Sequence, residues 1–167
     1  MKCVTRAGRL VDEYYCMKTT TTSIASTLNG LVETCKDGQE GFRSAAESVR
    51  NDDFRLLFSD LATQRQYFAG ELKRLVQTLG EKVKAKGSMP AAIHRGWMHL
   101  KAALSSGDDR AILEECERGE DAAIAEYREV LEHHDLPVNV RSVVQHQAMG
   151  VKAAHDRVHN LRDRFQS

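Results

Sequence analysis

The sequence predicts an all-α fold of four long antiparallel helices, and three observations carry that prediction. Apolar residues recur at helical spacing in four separate segments, and no strand-like alternation persists between them. Ala, Leu, Glu, Lys, Gln and Arg are abundant, and the only prolines, Pro90 and Pro137, fall outside the four long segments. The segments are separated by polar breaks that carry recognisable start and stop residues.

The first 22 residues end in a Thr run and show weak periodicity, which reads as a flexible tail preceding one domain over residues 23–167. Met17 is a candidate translation start, with residues 1–16 an extension. The first long helix is expected from about Ile24 to Arg50. Asn51 and Asp52 break it, and either residue type can cap the next helix with its side-chain oxygen. That second helix runs to about Leu79, with Gly80 at the position where a left-handed residue ends a helix. After the connection EKVKAKGS, Ser88 and Pro90 start a shorter helix carrying Ile93, Trp97, Leu100 and Leu104, which stops at Ser105-Ser106-Gly107. Asp108 caps a third long helix ending near Asp135, and Pro137 opens the fourth.

Connection lengths predict topology. The first and last pairs of long helices are joined by tight breaks, so each pair is an antiparallel hairpin. The middle connection holds nearly thirty residues, a short helix among them, enough to travel the length of a bundle at about 1.5 Å per helical residue. Two hairpins joined by one long crossover is the ferritin-like topology. A plain up-down bundle with a capping helix is the alternative.

Charge excludes some functions. Lys and Arg number 24, matched by 24 Asp and Glu, so no basic excess exists to drive binding to nucleic acid. A membrane partner is not expected either: no Lys/Arg-rich amphipathic face is evident, and apolar runs are far shorter than the roughly 20 residues of a span. The N-terminal residues hold no apolar signal core, and a cytoplasmic location is expected. Cys3, Cys16, Cys35 and Cys116 show no C-x-x-C spacing. Cys35 and Cys116 fall on apolar stripes, where a reduced cysteine packs as a small hydrophobe.

Each stripe has one strongly polar interruption toward its middle: Gln39, Arg65, Glu120 and Gln147. One cation, one anion and two amides can satisfy one another, so these four are expected to form a buried polar layer that fixes helix register. The competing reading is a di-metal centre, which takes a Glu from two helices and Glu-x-x-His from the other two. No Glu here is followed by His three residues later, and Arg65 brings a positive charge to the metal's place. If a metal is bound, the candidate ligands are Glu40, Glu117, Glu120 and His155. His155 and His159 share a helix face at i, i+4 spacing, yet a fixed site needs three or four ligands. His133-His134 suits the end of the third long helix, and Trp97 in HRGW is an anchor onto the bundle. Gly-rich phosphate loops and nucleophile motifs are absent.

The segments LVETCKDGQEGFRSAAE (Leu31–Glu47), QRQYFAGEL (Gln64–Leu72), HRGW (His94–Trp97), ECERGEDAA (Glu115–Ala123) and AHDRV (Ala154–Val158) resemble a bacterial family of uncharacterised ferritin-like four-helix-bundle proteins, a domain of unknown function. The resemblance covers roughly Asn29 to Asp163. It implies a ferritin-like bundle of bacterial origin without an established activity. The family pattern often carries Glu where this chain has Gln39, which weakens transfer of a metal ligand to that position.

Together these observations favour a non-enzymatic binding or structural protein with a stress-linked role, with no cofactor and with a homodimer as the expected assembly through apolar positions such as Leu56 and Ile124. The alternatives are a di-iron-type redox or iron-handling protein and a thiol sensor using Cys35 or Cys116.

Overall fold

The computed structural model describes residues 6–84, 99–133 and 135–165, with side chains for 17–84 (19 apart), 99–132 and 135–165. Within them the chain is all-α. Helix α1 spans Arg6–Ser48, α2 Asp52–Thr78, α3 Leu100–Ser106, α4 Asp109–His133 and α5 Val138–Arg164.

The helix boundaries follow from backbone hydrogen bonding. Asn51 accepts from the N–H groups of Asp53 (2.8 Å) and Phe54 (3.2 Å), satisfying two of the free donors at the start of α2. At the other end Gly80 has φ +75°, its N–H donates to Gln77 O at 2.9 Å, and the N–H of Glu81 donates to Val76 O at 3.2 Å. Those two bonds are the Schellman pattern, which needs a residue tolerant of positive φ. Asp108 accepts from Arg110 N–H at 3.0 Å and so caps α4. Beside it Asp109, nearly buried, accepts from the backbone N–H groups of Arg50 (2.8 Å) and Asn51 (2.9 Å). The first turn of α4 therefore holds the α1–α2 turn in place.

The two hairpins, α1–α2 and α4–α5, lie side by side with α1 against α4 and α2 against α5, while α3 packs on α1 and α4. Neighbours are antiparallel. The C-terminal end of α1 meets the start of α4 at Arg50 and Asp109, and Cys35 meets Tyr127 farther along. Phe54 at the start of α2 stacks edge-on against Phe165, just past the end of α5, with ring centroids 5.5 Å apart. It follows that α2 and α4 run in the same direction.

Two apolar clusters fill the interior. One is built around Leu28, Val32, Leu72, Val144 and Val151, the other around Phe42, Phe58, Leu113 and Val158. On α2 the boundary between them falls at Arg65 and on α4 at Glu120.

Two expectations need correction. Helix α1 begins at Arg6 rather than near Ile24, so the backbone of residues 6–22 is helical. Among the side chains described, from Met17 on, the first buried one is Ile24, and Met17 is exposed. The apolar stripe marks where the helix meets a core; a helix once nucleated continues beyond it at one hydrogen bond per residue. The third long helix runs to His133, near its expected end. Ile124 is half-buried against the first cluster rather than exposed, whereas Leu56 is 67% exposed. Cys3, the side chains of Cys16 and His133, His134, and the expected helix start with Ser88, Pro90, Ile93, His94 and Trp97 lie outside the described residues. Among the described residues no helix is long and apolar enough to cross a membrane.

Candidate functional site: a buried polar layer

Arg65 projects from α2 into the interior, where it is 2% exposed, and Glu120 on α4 is fully buried. The guanidinium Nη2 pairs with Glu120 Oε2. Taking two charges out of water costs several kcal/mol each, so the pair persists only because each partner meets the other in the interior. Aromatic faces supplement the contact: Cζ of Arg65 lies 5.9 Å from the Phe42 ring centroid and 5.8 Å from that of Phe68. Among the described residues, Arg65 Nε and Nη1 and Glu120 Oε1 are buried without a hydrogen-bond partner. Burial pushes the Glu120 carboxyl up from its usual range, and the charge and hydrogen bond of Arg65 pull against it.

Two glycines make room. A Cβ at Gly38 on α1 would stand 3.3 Å from Cδ of Arg65, so the bare backbone accommodates the arginine stem. A Cβ at Gly150 on α5 would stand 2.7 Å from Cζ of Phe68, closer than side-chain atoms pack.

Beside the ion pair runs a hydrogen-bonded chain that touches all four long helices. Gln147 Nε2 on α5 donates to Phe68 O (3.2 Å) and to Glu71 Oε2 (2.9 Å), both on α2. Its Oε1 accepts from the hydroxyl of Tyr127 on α4 at 2.8 Å. That bond uses the only proton of Tyr127, so the Cys35 thiol on α1, 3.2 Å away, must donate to the tyrosine oxygen. Burial pushes the thiol up to about 11, consistent with a protonated donor, and it raises Tyr127 well above its ordinary value. Cys116, also a free buried thiol, is raised by burial and by nearby Glu120.

A family model described as a domain of unknown function, DUF2383, matches residues 23–133. The chain belongs to the DUF2383 family. No curated protein matches it. The DUF2383 match spans the packed part of α1, all of α2 and α4, and thus Cys35, Arg65, Glu120 and Tyr127; α5, with Gln147, His155 and His159, follows it.

The structure brings Arg65, Glu120 and Gln147 into the interior but leaves Gln39 half-buried, lining a groove between α1 and α2 with Arg43, Ala62 and Gln66. Its neighbour Gly38 takes the inward place against Arg65, so Gln39 is turned to the side. The four metal candidates are dispersed among other partners. Glu40 pairs with Arg43 at the surface, and Glu120 with Arg65. Glu117 holds His159 and Arg162, and His155 meets Asp121 and Asp156. As the side chains stand, no three His, Cys, Asp or Glu residues among those described converge as metal ligands.

Sequence reasoning missed several members of the site. Tyr127 lay on the α4 stripe, and its hydroxyl was the available signal, since a buried tyrosine oxygen usually finds a partner. Glu71 lies off the α2 stripe, so spacing held no signal for it. The Gly38 and Gly150 notches are invisible to a search for side chains.

Proposed function

We propose that this DUF2383 chain is a ferritin-like helical bundle acting as a non-enzymatic binding or structural protein. Its central polar layer stands in place of a di-metal centre. The observation that carries this reading is the buried guanidinium of Arg65 against Glu120. A di-iron site needs several carboxylates converging on positive ions. Here the central carboxylate is already matched by a fixed cation, and Gln147 commits its amide to Tyr127, Phe68 and Glu71. The residues present do not fit that metal group.

The ferritin-like assignment is supported by the two antiparallel hairpins and by the parallel course of α2 and α4. Reduced, buried Cys35 and Cys116 are compatible with a cytoplasmic setting, and exposed Leu56 supports a homodimer formed through the outer face of α2.

The test is oxygen consumption by the full chain after addition of Fe(II). Consumption at the rate of the protein-free blank is the expected result. Oxidation above the blank that Glu120→Gln abolishes would overturn the proposal.

A further inference from the structure

A second cluster of chemistry-bearing side chains lies on the outer seam between α4 and α5, away from the Arg65 pair. Glu117 and Asp121 stand at i, i+4 on α4, and His159 and His155 stand at the same spacing on α5. Because the helices are antiparallel, the pairs face one another. His159 Nδ1 lies 2.8 Å from Glu117 Oε1, and His155 Nε2 lies 3.1 Å from Asp121 Oδ1. The two imidazoles are stacked, with centroids 5.8 Å apart and planes 15° from parallel.

Both nitrogens of each ring face carboxylates. His155 Nδ1 is 3.1 Å from Asp156, and His159 Nε2 is 3.4 Å from Asp163. When neutral, each imidazole has one N–H and one lone pair, and that lone pair is a metal-ligating donor. Arg162 reaches into this seam from α5: it pairs with Glu117 (2.6 Å) and lies 3.1 Å from His159 Nδ1.

We propose that Glu117, Asp121, His155 and His159 form a cross-helix site for one divalent transition-metal ion of the zinc class. Two imidazoles and two carboxylates are a donor set that such ions accept. Ligands at about 2.0–2.2 Å from a tetrahedral ion stand roughly 3.4 Å from each other, near the separation of each His–carboxylate pair. In the metal-free arrangement the donors are engaged pairwise, so entry requires the imidazoles to turn toward one point and Arg162 to release Glu117. Arg162 keeps a partner when it does so, because its Nη2 lies 2.7 Å from Asp163. The inference concerns exchangeable binding on the seam and is independent of the reading of the bundle centre.

The test is titration of the untagged, chelator-treated full chain with Co²⁺ near neutral pH, followed by visible absorption, with Zn²⁺ as competitor. One Co²⁺ per chain is expected, displaced by Zn²⁺ and weakened on acidification because protons compete for the imidazoles. Joint replacement His155→Ala and His159→Ala should abolish it, and Glu117→Gln should weaken it about tenfold or more. Glu120→Gln should leave it unchanged. Circular dichroism checks that each variant is folded. Paramagnetic broadening of the wild-type imidazole NMR signals, expected at His155 and His159, needs no variant at all. Absence of saturable binding, binding indifferent to the double replacement, or broadening at His99 or His146 instead would each overturn the proposal. Loss of binding in Glu120→Gln would move the ion to the bundle centre and overturn both readings.

Discussion

The hydroxyl of Tyr127 donates to Oε1 of Gln147 at 2.8 Å across the α4–α5 seam, and this one bond sets the direction of every other bond in its chain. Gln147 is left with its amide protons for α2, and Tyr127 is left with an acceptor for Cys35 on α1. Tyr127→Phe removes the donor and the acceptor together. It leaves the fully buried Gln147 oxygen without a partner, and such a loss costs about 1–3 kcal/mol. Urea unfolding of the variant should show that decrease. A change within about 0.5 kcal/mol, typical of surface substitutions, would mean the chain adds nothing.

The Cys35 thiol gives an alkaline signature. Burial raises it from 9.0 to about 11 in the folded protein. A group whose folded value lies above its unfolded one stabilises the protein fully below the unfolded value, and the benefit disappears as pH rises through the folded value. Stability should therefore fall between about pH 9 and pH 11, with a loss near 1.4 kcal/mol from this thiol by about pH 10. Tyr127 and Cys116 are raised as well and add loss of the same sign. Cys35→Ser keeps a donor but does not titrate, so unfolding measured from pH 7.5 to 10 should fall less steeply in that variant. Identical slopes in the two proteins would refute the assignment.

Much of this interior was legible before any coordinates. Leu28, Val32, Phe58, Leu72, Leu113 and Val158 are all buried and belong to apolar series at helical spacing, because burial of one helix face is what creates the spacing. Arg65, Glu120 and Gln147 were legible as interruptions of that pattern. Gln39 was misplaced for a physical reason: its neighbour Gly38 has no side chain to register on a stripe, yet it is the residue packed against Arg65. Glu71 and Asp109 were missed because they bond to groups distant in sequence, an amide on α5 and the backbone of the α1–α2 turn. The start of α1 was missed because residues 6–22 carry only weak apolar periodicity, although their backbone is helical.

The two notches should respond differently to the same substitution. At Gly150 an added methyl meets the Phe68 ring at 2.7 Å, and that ring is held between α2 and α5 with Arg65 over its face. Gly150→Ala should destabilise by about 1–3 kcal/mol, because overpacking outweighs the gain of about 1 kcal/mol in helix propensity. At Gly38 the closest atoms, at 3.3 to 3.5 Å, belong to the flexible stem of Arg65. A shift of a few tenths of an ångström relieves that contact, so the propensity gain offsets most of its cost and Gly38→Ala should lie within about 1 kcal/mol of wild type. Thermal or urea unfolding of the two variants tests the order; a larger loss at Gly38 than at Gly150 contradicts it.

The Arg65–Glu120 pair makes the largest stability prediction. Arg65→Ala strands Glu120, which has no exposed surface, and removing one partner of a buried pair costs about 3–5 kcal/mol. Arg65→Met with Glu120→Gln removes both charges while roughly keeping volume, so it should recover much of that loss. Recovery will be incomplete if the new amide finds no acceptor, since the carboxylate it replaces already has Oε1 unpartnered. The two positions share one contact, so their effects should be strongly non-additive. A double-mutant cycle by urea unfolding measures that coupling directly. A coupling near zero would mean that the two charges are not paired in solution, and it would remove the support for an ion pair standing at the centre of the bundle.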